Sequence, residues 1–266
     1  MFIIFLIFGL IVGSFLNVVV YRLGVAEDFV FGGSKCPHCQ KGIRWYDNIP
    51  VISFILLKFQ CRDCGKKISW QYPLVEIGTG VLFAFLGQQY FLIGNQETWM
   101  TTVYFLGIVS FLVIIFVYDL LYMEIPTIVL WVGIAWTIAF NLFFDAQKGI
   151  LVGDIFNSAI FSGTLAAFLA FMFFFLLVFL SKETWMGMGD AYLVIFLGLI
   201  LGWPKILLGL MLAFTIGALV GLALIGFKKK KMKSQIPFAP FLIAGSMIAM
   251  FFYDPIINFY FSLVLR

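Results

Sequence analysis

The chain has 266 residues, of which 63% are apolar and only 11% charged, and 34 of them are phenylalanine. A soluble domain of this length does not need so much apolar surface, so the composition excludes a soluble globular protein and indicates that lipid surrounds most of the chain. The net charge of +4 does not require a nucleic-acid partner. The lysine run within 228–233 is typical of a cytoplasmic anchor beside anionic lipid.

The first apolar stretch, residues 1–21, has no basic start and no small-residue cleavage site, so we expect a retained helix rather than a removable signal peptide. Seven more stretches approach or reach the length needed to span a bilayer. We therefore predict an all-α polytopic membrane protein of about eight transmembrane helices. The stretches are 1–21, 75–94, 100–121, 127–144, 154–181, 189–203, 205–227 and 237–257.

The distribution of basic residues predicts the orientation of these helices. With the N-terminus outside, all of the 17 basic residues except Lys148, Lys205 and Arg266 lie on the cytoplasmic side. Short cytoplasmic loops carry such an excess of Lys and Arg, so we expect this orientation.

The long polar segment, residues 24–74, contains all four cysteines as two C-x-x-C pairs. Cys36, Cys39, Cys61 and Cys64 are typical of a closed structural zinc site, with no need for His38. Disulfides or free thiols are the alternative, and a reducing cytoplasm argues against disulfides. The segment has little apolar core, so we expect zinc to contribute much of its folding free energy. Its apolar run 49–57 is too short to span and is expected on the membrane surface or against the helices.

Two acids, Asp119 and Asp190, stand at the ends of predicted helices and at the same predicted depth on the cytoplasmic side. Charge at membrane depth is costly and indicates function, and two converging carboxylates can share a proton and activate water. The alternatives are a helix cap for Asp190 and an interfacial residue for Asp119. Among the other acids, Glu124 is expected to be a loop charge, and Asp145 and Asp154 to be caps or loop residues.

Eight motifs in sequence order carry a resemblance to a known family. They are GSFLNVVVYR at 13–22, CPHC at 36–39, WYDNIPVIS at 45–53, CRDC at 61–64, YPLVE at 72–76, Asp119 followed by Ile125-Pro126, GMGD at 187–190, and IPFAPFL at 236–242. In this order they resemble the type IV prepilin leader peptidases, which are membrane aspartic proteases of the G-x-G-D type.

The resemblance implies two activities. The first is cleavage of the leader from prepilin or pseudopilin substrates on the cytoplasmic side of the bacterial inner membrane, with Asp119 and Asp190 as the catalytic pair. The second is N-methylation of the new N-terminus by S-adenosylmethionine, for which Glu76 is a candidate binding residue. The resemblance also implies a division into a first helix (1–23), a zinc-binding insert with the methyltransferase part (24–74) and a peptidase bundle (75–266). It leaves the oligomeric state open.

Two positions depart from the family pattern. Many relatives have glycine where this chain has Phe59, and a ring there is expected to alter cofactor access. Relatives often have lysine where this chain has Tyr192, which is expected to change the surroundings of Asp190. A peptidase without methylation therefore stays open, as do an ion-coupled transporter that uses the two aspartates and a zinc-bearing scaffold. Against the transporter, the two halves show no repeat symmetry.

Overall fold

A computed structural model describes residues 1–25, 33–91, 96–150, 156, 158–227 and 236–264. The regular structure of these residues is α-helical, with a 3-10 turn at Trp45–Asn48 and two isolated antiparallel bridges, and most of the insert is irregular. It divides into two compact units, Met1–Tyr118 and Asp119–Arg266. The lysine run at 228–233 and Asp154 lie outside the described residues.

The first unit contains four helices, the last of which continues into the second unit. Helices α1 and α3 pack against each other, and the short α2 belongs to the polar insert between them. The helices are α1 (Phe2–Val25), α2 (Ile52–Leu56), α3 (Gln71–Tyr90) and α4 (Gln96–Tyr122).

Small residues set the distance between α1 and α3. A Cβ atom on Gly9 would lie 2.7 Å from the Cα of Gly80, and one on Gly13 would lie 2.8 Å from the Cα of Glu76. Only glycine allows such backbone approach, which is typical of packed membrane helices. Because the contacts run in opposite directions along the two helices, α1 and α3 are antiparallel, and the next turn places Asn17 beside Tyr72.

In the second unit the remaining helices surround a short central one. Helix α7 is apolar on all sides and packs against α5, α6, α8 and α9, with its Leu193, Val194, Phe196 and Leu197 fully buried. A helix that is hydrophobic all round is expected to be buried in this way. The helices are α5 (Thr127–Gln147), α6 (Ala159–Ser181), α7 (Met188–Leu201), α8 (Lys205–Gly226) and α9 (Ala239–Val264).

Each of the eight predicted stretches contains a helix, but only six of the described helices are long and apolar enough to cross a membrane: α1, α4, α5, α6, α8 and α9. Helix α7 has only 14 residues, and it ends at Gly202, where φ is +68°. Helix α3 is less hydrophobic than these six, because it contains Glu76, several glycines and a Gln-Gln pair near its end. Eight spans are therefore not confirmed.

The short apolar run in the insert forms helix α2. Ser53 and Phe54 are buried, whereas Ile52, Ile55 and Leu56 are exposed. The helix therefore has one face against the insert and one apolar face outward, which is the amphipathic character expected of a surface segment.

Candidate active site and metal centre

Asp119 lies in the last turn of α4 and is only 5% exposed. The backbone N–H of Ala239, at the start of α9, donates a hydrogen bond to its carboxylate. Its Oδ2 atom is buried and has no hydrogen-bond partner among the described residues. Such an unsatisfied oxygen is costly in a folded protein and calls for a functional explanation.

Asp190 lies in the first turn of α7, where Gly187 is the N-cap. Its carboxylate accepts a hydrogen bond from the backbone N–H of Gly187, so it does cap the helix, as the structural alternative expected. It also interacts electrostatically with the carboxylate of Asp119. The structure therefore brings together the two acids that the sequence singled out.

The glycines of the G-x-G-D segment leave room beside these acids. A Cβ atom on Gly187 would meet nothing closer than the backbone nitrogen of Gly189, at 4.0 Å. On Gly189 it would only touch Ile125, at 3.4 Å. Because neither glycine is required by tight packing, the segment keeps open space where an extended peptide could approach.

Tyr192 lies away from the acids. Its ring is 6.3 Å from that of Phe171 on α6 and 6.4 Å from that of Trp131 on α5, measured between centroids. Two positions along a helix correspond to a rotation of about 200°, so residues 190 and 192 occupy nearly opposite faces of α7. In this chain the position is used for aromatic packing.

The four cysteines of the insert form one cluster. Their sulfur atoms all lie within 4.8 Å of one another, and those of Cys36 and Cys64 are 3.9 Å apart. Zn–S bonds of about 2.3 Å in a tetrahedron place sulfurs about 3.8 Å apart, so the cluster fits a metal ion bound by four thiolates. His38 is not part of it.

The two cysteine pairs have the same local structure. In the first, the N–H of Cys36 bonds the carbonyl of Lys41, and in the second, that of Cys61 bonds the carbonyl of Lys66. The residues that turn the chain, Gln40 and Gly65, both have positive φ. An isolated bridge closes each turn, Lys35 with Gly42 and Gln60 with Lys67. The insert is thus a tandem pair of knuckles that face one metal position.

Backbone N–H groups favour ionisation of one thiol of the cluster, that of Cys36. Burial opposes ionisation of Cys36, but N–H groups of Cys39 and His38 donate to its sulfur, and together with neighbouring thiols they lower the pKa of Cys36 to about 7. Metal binding requires the thiolate. At Cys39 the backbone N–H of Lys41 lowers the pKa, but burial and the neighbouring thiols outweigh it and raise the pKa of Cys39 to about 11. Beside the cluster, Arg62 forms two hydrogen bonds with Asp47, which lowers the pKa of that carboxyl.

A cavity of about 420 Å³ lies between α1, the insert and α3 within the first unit. Its walls include Ser14, Asn17, Tyr72 and Glu76 from the two helices and Cys36 and Cys61 from the knuckles. Pockets of this size hold small molecules. Glu76, the candidate binding residue, is therefore one of the residues that line this cavity.

Phe59 does not line this cavity. Its ring stacks on Trp70, with centroids 5.6 Å apart, and contacts Phe54 at 4.9 Å. Its φ is +66°, a left-handed conformation that favours glycine, which gives a physical reason for the glycine of many relatives. The ring itself is not among the residues that line the cavity, although its neighbour Phe54 is, so an effect of Phe59 on cofactor access stays a prediction.

The remaining acids have structural positions. Asp145 is buried and accepts hydrogen bonds of 2.9 Å from the N–H groups of Ala159 and Ile160, so it caps α6, as expected. Glu124 is exposed, in agreement with a loop charge.

Two residues of the candidate sites were not predicted from the sequence. They are Ala239, which donates a hydrogen bond to Asp119, and Asn17, which lines the cavity. Both lie within motifs that the resemblance had marked, but nothing in those motifs states what either residue contacts.

The helices of membrane length, the acid pair at two helix ends and the four-cysteine cluster define a polytopic membrane protein. It has a candidate aspartyl site and a candidate metal centre. Comparison with known proteins matches residues 7–90 to the Bacterial Peptidase A24 N-terminal domain and residues 106–222 to the Type IV leader peptidase family. No solved structure was found to be similar.

Curated relatives match over most of the chain. A prepilin leader peptidase/N-methyltransferase of Bacillus subtilis is 31% identical over 97% of both chains, and one of Pectobacterium carotovorum is 32% identical over 92% of this chain and 90% of its own. One of Myxococcus xanthus is 35% identical over 82% of this chain, which spans 62% of that relative's length. The chain belongs to the prepilin leader peptidase/N-methyltransferase family, and it is an integral bacterial membrane protein.

Proposed function

We propose that this protein cleaves the leader from type IV prepilin-like substrates with Asp119 and Asp190, and then methylates the new N-terminus. The electrostatic interaction between these two acids carries the proposal, since they come from different helix ends and Asp119 has an unsatisfied buried oxygen. The names of the relatives supply the substrate class and the second activity.

Cleavage follows from a carboxyl pair that holds one proton. The ionised carboxylate takes a proton from water, and the water oxygen bonds to the scissile carbonyl carbon, while the protonated partner donates a hydrogen bond to the carbonyl oxygen. When the C–N bond breaks, the leaving amine receives a proton from the pair. The shared proton belongs to Asp119 and Asp190 together.

The N–H groups of Ala239 and Gly187 orient the two carboxylates during this reaction. Each comes from a helix N-terminus, where the dipole stabilises negative charge. The unpaired Oδ2 of Asp119 is the atom that we assign to water or the substrate carbonyl.

We place the pair at the cytoplasmic face of the inner membrane, with the N-terminus outside. The basic residues support this orientation, and the acids stand at helix ends, where a soluble leader could reach them. A cysteine introduced at residue 2 should be labelled from the outside and one introduced at residue 124 from the cytoplasm, each compared with the unsubstituted protein, which keeps its four cysteines.

Methylation is assigned to the cavity of the first unit, with zinc in the neighbouring cysteine cluster. S-adenosylmethionine supplies an electrophilic methyl group on a sulfonium. The cavity fits such a molecule in size, and Glu76 is one of its lining residues. The closed four-thiolate site gives zinc a structural role. In terms of chain segments, we assign 1–23 to the first membrane helix, 24–74 to the zinc-bound methyltransferase part and 75–266 to the peptidase bundle.

One experiment tests both activities together. Purified protein in liposomes is incubated with a prepilin-type precursor and S-adenosylmethionine, and the products are analysed by mass spectrometry. We expect cleavage immediately before the apolar segment, followed by addition of one methyl group to the new amine. Cleavage without the methyl group would restrict the function to a peptidase, and an intact precursor would contradict the proposal.

A further inference from the structure

Asn17 has an amide oxygen that lacks a partner inside the protein. The residue is 1% exposed, and its Nδ2 donates to the carbonyls of Tyr72, at 3.1 Å, and Gly13, at 3.3 Å. Because both neighbours of the nitrogen are acceptors, the orientation of the amide is determined. Its Oδ1 is then buried without a hydrogen-bond partner among the described residues, and Asn17 is one of the residues that line the cavity of the first unit.

Glu76 offers a second acceptor to the same cavity. It is 7% exposed, and its carboxylate accepts hydrogen bonds from the N–H of Val51, at 2.8 Å, and from the hydroxyl of Ser14. A carboxylate has about four acceptor positions, so two donors leave capacity for a ligand. Within the described part of the chain, the ion pairs involve other residues and leave Glu76 without a cation.

The backbone is strained at Val51, a residue that contacts Glu76. Val51, whose N–H points at the carboxylate, has φ +60°, which is an outlier for a β-branched residue. Such strain persists where the surrounding structure requires it, and it is concentrated at functional sites. On the other side, the close approach of Gly13 to the Cα of Glu76 holds α1 against α3 and sets the position of Asn17. Helix α1, the insert and helix α3 therefore together position Asn17 and Glu76.

We infer that Asn17 and Glu76 together bind a primary ammonium group of a ligand in this cavity. A buried carboxylate and an unpartnered amide oxygen that belong to residues lining one cavity favour a donor-rich cation as ligand, and a primary ammonium has three N–H donors. The inference rests on the proposed methylation, in which two molecules carry such a group. One is S-adenosylmethionine, through its amino-acid end, and the other is the N-terminus of the cleaved substrate.

Binding measurements distinguish the two sources. The probes are S-adenosylhomocysteine, which has the ammonium, and 5′-methylthioadenosine, which lacks it, each titrated calorimetrically into the full-length zinc-loaded protein in detergent. The variants are Glu76→Gln and Asn17→Leu, with Asp254→Asn as an exposed carboxyl-to-amide control. Zinc content and the unfolding temperature show whether each variant is folded, and either variant alone suffices if the other fails to fold.

If the cofactor's ammonium is bound, the variants should weaken S-adenosylhomocysteine by about tenfold or more, as expected for loss of a hydrogen bond to a charged group, and change 5′-methylthioadenosine by less than about twofold. If the substrate's amine is bound, both affinities stay unchanged, while KM for a mature pilin N-terminal peptide rises by about tenfold. Equal weakening of both nucleosides, or no change in either affinity or KM, would overturn the inference. A wild-type protein that binds neither nucleoside would overturn the proposed methylation itself.

Discussion

Gly13 and Glu76 are in direct backbone contact: a Cβ atom on Gly13 would lie 2.8 Å from the Cα of Glu76. The contact joins two features that look unrelated in the sequence, a glycine in the first membrane helix and an acid at the start of α3. It holds α1 and α3 at the separation that places Asn17 and Glu76 in the same cavity.

Gly13→Ala should therefore damage the first unit. The added methyl group meets backbone, which cannot move without separating the helices, so we expect a loss of about 1–3 kcal/mol in stability together with weaker binding of S-adenosylhomocysteine. Thermal unfolding in detergent and calorimetry measure the two effects. Gly78→Ala is the matched control, because a Cβ atom there meets nothing within 4 Å. Equal behaviour of the two variants would contradict the packing argument.

Removal of the metal should affect the insert first. We expect about one zinc per chain, lost in Cys36→Ser and equally in the corresponding Cys61→Ser, because the two knuckles have the same structure. Limited proteolysis should then cut within 33–70 while the helical bundle stays resistant. His38→Ala should keep its zinc, since this imidazole is outside the cluster. Simultaneous loss of the insert and the bundle would mean that the metal centre supports the whole fold.

Phe59→Gly should change little in the cavity. Glycine relieves the left-handed strain, worth about 1 kcal/mol, but it loses aromatic contacts of about 0.5–1.5 kcal/mol each with Phe54 and Trp70. The net change in stability is expected to be small, and leader cleavage and S-adenosylhomocysteine affinity should be unchanged. A clear rise in methyl transfer would instead show that the ring restricts the cofactor, contrary to its position.

Asp145→Ala tests whether Asp145 has only a structural role, in contrast to Asp119 and Asp190. Its two hydrogen bonds to the start of α6 are lost, which should cost about 1–2 kcal/mol in stability. Cleavage per folded molecule should be retained, because this acid caps a helix and is bonded through both oxygens. A folded Asp145→Ala protein without peptidase activity would place Asp145 in the reaction.

Much of the fold could be predicted from the sequence because bilayer length and apolarity are local properties. All eight apolar stretches contain helices, and the C-x-x-C spacing indicated a cluster that the structure forms. The count of eight spans is not confirmed at α3 and α7, and a helix such as α7, buried by its neighbours, need not satisfy the length rule. The contact of Ala239 with Asp119 and the unpaired oxygen of Asn17 depend on how distant helices pack, which no local pattern encodes.

The central claim is that Asp119 and Asp190 form one catalytic pair. The most direct test is cleavage of a prepilin-type substrate in liposomes by Asp119→Asn and Asp190→Asn, each beside wild type and beside Glu124→Gln, an exposed carboxyl-to-amide control near the first acid. We predict that both Asn variants fold, keep their zinc and lose cleavage by several orders of magnitude, whereas Glu124→Gln cleaves like wild type. Wild-type rates in either folded Asn variant would contradict the account.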